Sequence, residues 1–396
     1  MSHKAVVLGS NYYIGLSTIR CLGKEGVEVV AFDYSEDGSY GLKSKYCSEK
    51  LIGPHYRKES EALVKFLKDF ASKQDKPPVL IPCADPYVEF LDKHIDELKE
   101  SFLIPSIEKG LYTKLMNKET LHTVASEKGV AVPETVRIDE EDLFEKVDKV
   151  LKYPCIVKPV DSPAFVAKFR KKMFTVHNEK ELQEALDRSK EAELEVIIQR
   201  IIPGFDDHMH TFDAFFNEES KCTHWMTCQK YRQYPINFGA SVYTGQKHVQ
   251  ELYDIGAKFL EEVGYKGFAE IEFKKDADTG RYYLIEINVR ITNLNSLLYK
   301  AGLNMPYIAY RELIGHPLDP KNIKKSNYVF WYAYEDLLAI KDYVKRGQLT
   351  LKEIIKSLAK PKAYAIWDIK DPMPTMAFLK ILGGKLLRKI GIKGTK

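Results

Sequence analysis

Short apolar runs alternate along the first hundred residues with longer stretches whose apolar positions recur every three or four residues. Ala5-Val6-Val7-Leu8 predicts a buried strand, residues 14–22 the helix after it, and 27–32 a second strand. In residues 60–72, Leu63, Phe66, Leu67 and Phe70 fall on one helical face, and residues 79–81 form a third strand. Such alternation predicts a parallel sheet with helices on its faces. The pattern then changes. A charged helical stretch over 113–132 leads to Cys155-Ile156-Val157-Lys158-Pro159, an apolar run interrupted by a lysine, and then to the apolar run 195–199. Between 211 and 243 the period is two, as in antiparallel strands. A helix over 255–263 precedes two strands, 267–274 and 281–288, joined by the turn Asp276-Ala277-Asp278-Thr279-Gly280.

The chain has 396 residues, enough for two or three domains, with 44% hydrophobic and 29% charged residues, as in ordinary globular proteins. A net charge of +4 gives no case for nucleic acid as a partner. Cys21, Cys47, Cys83, Cys155, Cys222 and Cys228 are scattered and read as reduced thiols in a cytoplasmic protein without a signal peptide. No apolar run approaches the roughly 20 residues that span a bilayer.

Gly9, Gly15 and Asp33 sit near the positions of a dinucleotide fingerprint, but the central glycine is missing and Asn11-Tyr12-Tyr13 are bulky where a pyrophosphate must approach the backbone. The strand pair 267–288 carries more chemistry. Glu270 and Glu272 share one strand parity, and Glu286, Asn288 and Arg290 share one in the other strand. Glu272, Glu286 and Asn288 offer hard oxygen ligands of the kind that suit Mg²⁺, and clustered carboxylates repel unless a cation lies between them. The competing reading is a solvated sheet face with Arg290 neutralising one acid.

The string Ile285-Glu286-Ile287-Asn288-Val289-Arg290, with Glu272 on the preceding strand, resembles the E-x-N-x-R segment of the ATP-grasp superfamily. The chain is similar to the biotin carboxylase and carbamoyl phosphate synthetase branch, and most to the carboxylate–amine ligases that include D-aspartate ligase. The resemblance is strongest over residues 113–317. It implies an α/β fold with a Rossmann-like domain at 1–112, an ATP-grasp (α+β) domain at 113–317, and a helical C-terminal extension at 318–396. It makes Glu272, Glu286 and Asn288 the magnesium ligands (Mn²⁺ substituting), and places Arg290 on the reacting carboxylate or phosphate. Lys118 and Lys158 become the two nucleotide lysines, and Gln199-Arg200-Ile201-Ile202 the hinge that holds adenine. The implied activity is ATP-dependent amide formation through an acyl phosphate, with small-molecule acid and amine substrates, an amino acid or a cell-envelope peptide precursor among them. A homodimer is compatible with it. The alternatives are a non-catalytic nucleotide-binding regulator and a carboxylase using bicarbonate.

Four further features complete the expectations. The loop 161–173 lacks the glycines many relatives have and carries Lys168, Arg170, Lys171 and Lys172, which reads as a basic mobile lid. Lys230 and Arg232, in a K-x-R-x-Y-P element of the same branch, are expected on one strand face toward the γ-phosphate or acyl phosphate. His208, His210, Cys222, His224 and Cys228 crowd two strands but match no zinc spacing, which favours ordinary strand residues. The tail after Met373 has Lys380, Lys385, Arg388, Lys389, Lys393 and Lys396 beside Phe378, Leu379, Leu382, Leu386 and Ile390. That stripe fits either a helix docked on its own domain or a peripheral contact with anionic membrane at its inner face.

Overall fold

The structure, a computed structural model, describes residues 2–160 and 162–389. The chain folds as two compact units, one of residues 1–113, 211–271 and 287–396, the other of 114–210 and 272–286.

The first unit opens with β1 (Ala5–Leu8), β2 (Val29–Asp33), β3 (Glu49–Ile52) and β4 (Val79–Pro82). They form a parallel sheet in the order β3-β2-β1-β4, with Ala5 in register with Val29 and Val79. β1 and β2 are buried throughout, as the apolar runs 5–8 and 29–32 require, and the buried Asp33 that ends β2 accepts from the Ser10 N–H at 2.9 Å. Helix Tyr13–Gly23 follows β1 through Gly9, whose φ is +97°. A Cβ on Gly15 would lie 1.9 Å from the Gly9 carbonyl oxygen, so these glycines let the helix close on the strand end.

In the second unit, β5 (Thr135–Arg137), β6 (Cys155–Pro159), β7 (Phe174–Val176) and β8 (Val196–Arg200) form an antiparallel sheet in the order β5-β8-β6-β7. Val136, Cys155, Val157, Val196 and Ile198 face its core, together with Phe165, Phe174 and Leu182. Strand alternation therefore puts Thr135, Ile156, Lys158, Ile197 and Gln199 on the opposite face. The charged stretch 113–132 is two helices, Leu111–Met116 and Lys118–Glu127. Asn117 separates them: its extended backbone ends the first, and its side chain accepts from the N–H groups of Glu119 and Thr120 to cap the second. Where a basic loop is expected, residues Ser162–Phe169 are helical. Phe165 and Phe169, one turn apart, meet each other and Phe174 at steep ring angles of 59–63° with centroids 4.7–5.0 Å apart, which anchors that helix to the core.

The remaining strands are β9 (Met209–Phe216), β10 (Cys222–Tyr234), β11 (Ala240–Gln246), β12 (Gly267–Lys275), β13 (Tyr282–Asn288), β14 (Lys321–Ile323), β15 (Val329–Trp331) and β16 (Lys362–Tyr364). Their sheet runs β13-β12-β9-β10-β11-β15-β16, with β14 alongside β10. Residues 272–275 and 282–286 of the β12–β13 pair belong to the second unit, and the rest of the pair to the first. The stretch from 318 is thus not helical alone: it contributes β14, β15 and β16 as well as helices Ala333–Lys345, Leu351–Leu358 and Met373–Lys389. In the last helix Phe378 packs against the first unit's core, its ring 5.6 Å from Tyr40 and 6.3 Å from Tyr332, while Leu379 stays exposed. The tail stripe therefore begins as a helix docked on its own unit. Ile390, Lys393 and Lys396 fall outside the described residues. Among the described residues no helix is long and apolar enough to cross a membrane.

Candidate active site

Lys158 lies on the polar face of β6 and is buried, with 3% of its surface exposed. Its ammonium donates to Gln199 Oε1 at 3.4 Å. The Gln199 amide then has its nitrogen turned to Thr135 Oγ1, 3.2 Å away, and to His122 Nδ1 at 3.4 Å. With Nδ1 accepting, the imidazole proton belongs on Nε2, which faces the carbonyl oxygen of Ile285. Burial, followed by the charge of Lys158, lowers His122 to about 4, so it is neutral at physiological pH. Burial and then Lys118 draw Lys158 down from 10.5 to about 7, against the opposing pull of Glu286 and Glu272. Lys118, half-buried at the start of its helix, and the two half-buried acids are thus electrostatic neighbours of the same ammonium.

The hinge residues follow on β8. Gln199 belongs to the polar face just described. Arg200 instead pairs through its guanidinium with Glu134 and Asp276, both at 3.2 Å, and its backbone N–H donates to the Glu134 carbonyl at 2.9 Å. Ile202 is buried.

Asn288 and Arg290 belong to the first unit. Asn288 Nδ2 donates to Glu270 Oε1 at 3.0 Å, and its Oδ1 accepts from Arg290 Nη2 at 3.1 Å. Arg290 Nε donates to Asp85 Oδ1 at 2.5 Å, at the start of helix Asp85–Lys93. Glu270, 2% exposed, also accepts from Thr292 Oγ1 at 3.1 Å and shares a hydrogen bond with the buried Asp213. Burial pushes the Glu270 carboxyl up to about 8; the charge of Asp213 adds to this and buried Lys230 opposes it.

The expectation that Lys230 and Arg232 share a face is not met. A register shift between them pairs Lys230 with Thr244 but Arg232 with Tyr243, two consecutive residues of β11. Cross-strand partners lie on one face, so the bulge turns the two cations to opposite sides. Lys230 falls within reach of Glu270. Arg232 is gripped by Asp336 through two bonds of 2.6 and 2.7 Å and lies 4.0 Å over the Tyr243 ring. It is a structural anchor rather than a group aimed at phosphate.

The His/Cys set does not converge either. Among the described residues, Glu61, His94 and Glu97 are the one His/Cys/Asp/Glu group compact enough for a metal. There the two ring nitrogens of His94 already meet Ser60 Oγ at 2.6 Å and Glu97 at 2.9 Å. His122 and Asp213 are polar residues that sequence reasoning missed, and Glu270 was noted only for sharing a strand parity with Glu272. Asp213 and Glu270 carried a signal, each being an acid between two apolar residues of a strand, while His122 sits in a mixed helical stretch that offers none.

Residues 127–292 match the family described as D-ala D-ala ligase C-terminus. The chain is 30% identical over 257 residues to the D-aspartate ligase of Enterococcus faecium (strain Aus0004), covering 62% of this chain and 61% of that one. It is 24% identical over 190 residues to the D-alanine–D-alanine ligase of Thermoanaerobacter sp. (strain X514), 44% of this chain and 50% of that one. It thus spans 61% and 50% of the length of these two relatives. Among solved structures it resembles N5-carboxyaminoimidazole synthetase from Staphylococcus aureus, with a TM-score of 0.62, 18% identity and coverage of 82% of this chain and 81% of that one. It also resembles the biotin carboxylase domain of Hydrogenobacter thermophilus 2-oxoglutarate carboxylase, with a TM-score of 0.61, 16% identity and coverage of 80% and 71%. That structure contains MgADP, ADP and bicarbonate. At 18% and 16% identity these two structures show a likeness of fold, and the Glu286-x-Asn288-x-Arg290 strand and the buried lysine of β6 lie in a chain of that fold.

Proposed function

We propose that the chain is an ATP-dependent carboxylate–amine ligase. The observation that carries this reading is Lys158: a buried ammonium on a polar sheet face, with Lys118 beside it and the charges of Glu272 and Glu286 holding its proton. A buried cation is costly unless anions compensate it, and polyphosphate is the anion that two lysines suit.

In this reading a substrate carboxylate oxygen attacks the γ-phosphorus of ATP and ADP leaves. The amine nitrogen then attacks the acyl carbon, phosphate departs, and the amine proton passes to solvent. Lys158 and Lys118 bind the phosphates, and the segment from Gln199 to Ile202 borders the base. Lys230 offsets the acids Glu270 and Asp213 near Asn288. Arg290 exchanges its bond with Asp85 for one to the reacting carboxylate. The donor set of Glu272, Glu286 and Asn288 is all oxygen, two of the three ionisable, and fits Mg²⁺ or Mn²⁺. When bound, the ion would neutralise phosphate charge. The likeness to D-aspartate ligase supports an amino acid as one substrate, on its own or in a cell-envelope peptide precursor. The domain reading at 1–112, 113–317 and 318–396 and a cytoplasmic location belong to the same proposal.

The test is ADP release from ATP and Mg²⁺ across paired panels of D- and L-amino acids and dipeptides, with product masses read directly. Hydroxylamine added in place of the amine traps an acyl phosphate as a hydroxamate. Absence of both amide and hydroxamate across the panels, with nucleotide still bound, would favour the regulator reading.

A further inference from the structure

We infer that Glu270 is a positioning residue that fixes which end of the Asn288 amide is available to a metal ion. This rests on the reading of Asn288 as a metal ligand. An asparagine amide has two nearly isosteric orientations, and only its oxygen can bind a hard cation. Here the nitrogen end is defined by its partner: Asn288 Nδ2 donates to Glu270 Oε1 at 3.0 Å. The proton of this acid pair is taken up in the hydrogen bond between Glu270 and Asp213, so the oxygen facing the amide is an acceptor, and the flipped state would bring two oxygens together. Oδ1 is consequently the end turned to Arg290.

Glu270 is itself held. Its second oxygen accepts from Thr292 Oγ1 at 3.1 Å, and Thr292 is 1% exposed. Asp213, fully buried on β9, hydrogen-bonds to Glu270 and accepts from Thr211 Oγ1 at 2.6 Å. Contacts thus run from Thr211 through Asp213, Glu270 and Asn288 to Arg290 and Asp85, all within the first unit. Two adjacent buried carboxyls are a poor way to stabilise a core, since an apolar pair of similar volume does so at less cost. Orienting an amide next to a metal site gives them a task that apolar residues cannot perform.

The probe is Mn²⁺, titrated by electron paramagnetic resonance into the full chain with ADP present. Wild type is compared with E270A, E270Q and T292V, and thermal melts establish that each is folded. E270A should weaken Mn²⁺ binding by about 10- to 100-fold, the range for lost supporting contacts at metal sites. E270Q keeps an oxygen that can accept from Asn288 and should recover most of that loss. T292V, which releases only the second Glu270 oxygen, should cost a few-fold. ADP affinity without metal should stay at the wild-type value in all three, a separation that general loosening would not produce. Should E270A fail to fold, E270Q and T292V decide. Wild-type Mn²⁺ affinity in every folded variant overturns the inference and leaves the ligase reading standing. Failure of the wild-type protein to bind Mn²⁺ with ADP overturns the metal assignment itself, and this inference with it.

Discussion

Lys158 and Arg232 are both cations buried on strands, yet their surroundings differ in kind. Arg232 in the first unit has two nitrogens on Asp336, whose second oxygen also accepts from Trp331 Nε1 at 2.8 Å, and its plane covers Tyr243. Its charge is answered by a carboxylate in bidentate geometry, and little would be gained by moving it. Lys158 in the second unit meets a neutral amide at 3.4 Å, and its proton is held weakly enough that it titrates near neutrality. Burial alone therefore does not mark a functional cation. A full-strength internal partner marks structure, and a buried charge balanced only at longer range marks a place prepared for an external anion.

The largest expected effect would break the comparison at Arg232. Asp336→Ala leaves a buried guanidinium without its carboxylate and should destabilise the protein by about 3–5 kcal/mol. Denaturant melts measure it, and a variant as stable as wild type would mean that Arg232 does not depend on this pair. Nucleotide affinity of the folded fraction should be unchanged.

Glu286→Gln tests the other side. It removes an anion from beside Lys158 and should lower ATP turnover by about 10²-fold or more, the scale of one preorganised electrostatic contact. Its melting temperature should stay near wild type, because Glu286 is only half-buried. Near-normal Mg²⁺-dependent turnover would remove Glu286 from the site.

These two residues also show how far the sequence could be read. Glu286, Asn288 and Arg290 were legible because an acid-amide-arginine series on alternate residues of an apolar strand is rare. Lys158 was legible because it interrupts a buried run. The parallel sheet containing β1, β2 and β4 was legible from apolar runs separated by helical periodicity, whereas β3, Glu49-Lys50-Leu51-Ile52 with alternate residues exposed, was not. The opposite fates of Lys230 and Arg232 were not, because alternation assumes an unbroken ladder and one bulge reverses it. The pair Arg232–Asp336 joins residues 104 apart, and no local pattern reports such a contact. The strands after residue 318 escaped notice for a related reason: three residues each is too short for a period to register.

Lys158 makes a pH prediction with a definite sign. In the folded chain it titrates near 7, and its ordinary value is 10.5. Between these values the unfolded chain holds a proton that the folded chain has lost, so this group's penalty on stability is full below pH 7 and fades as pH rises toward 10.5. Lys158→Met removes the penalty. Its stability relative to wild type should be greatest at about pH 6 and shrink by about pH 10, as pH-resolved melts would show. The same variant should bind ADP about 10-fold more weakly or worse, the loss of one charge-assisted contact. Calorimetry of ADP binding at about pH 8, in buffers of different ionisation enthalpy, should detect proton uptake by wild type and less by the variant. A wild-type protein that takes up no proton would mean that Lys158 is not the phosphate lysine.

The smallest effect belongs to Lys168, and it separates buried from exposed charge in the same unit. Lys168 lies on helix Ser162–Phe169, whose position is set by Phe165 and Phe169 on the apolar core rather than by charge. Its side chain is exposed, as are Arg170 and Lys171. An exposed cation acts on a bound anion through water and is worth at most about 1 kcal/mol. Its neighbours supply the same field, so Lys168→Ala should weaken ADP binding by no more than about fivefold. The loss should also disappear at high salt, because screening acts on exposed charges over a Debye length of about 8 Å at physiological ionic strength. The Lys158→Met loss should persist there, since a buried contact is screened much less. Titrations of both variants at low and high ionic strength give the comparison. Equal losses that respond equally to salt would mean that Lys158 is no better shielded than Lys168, and the distinction drawn from burial would fail.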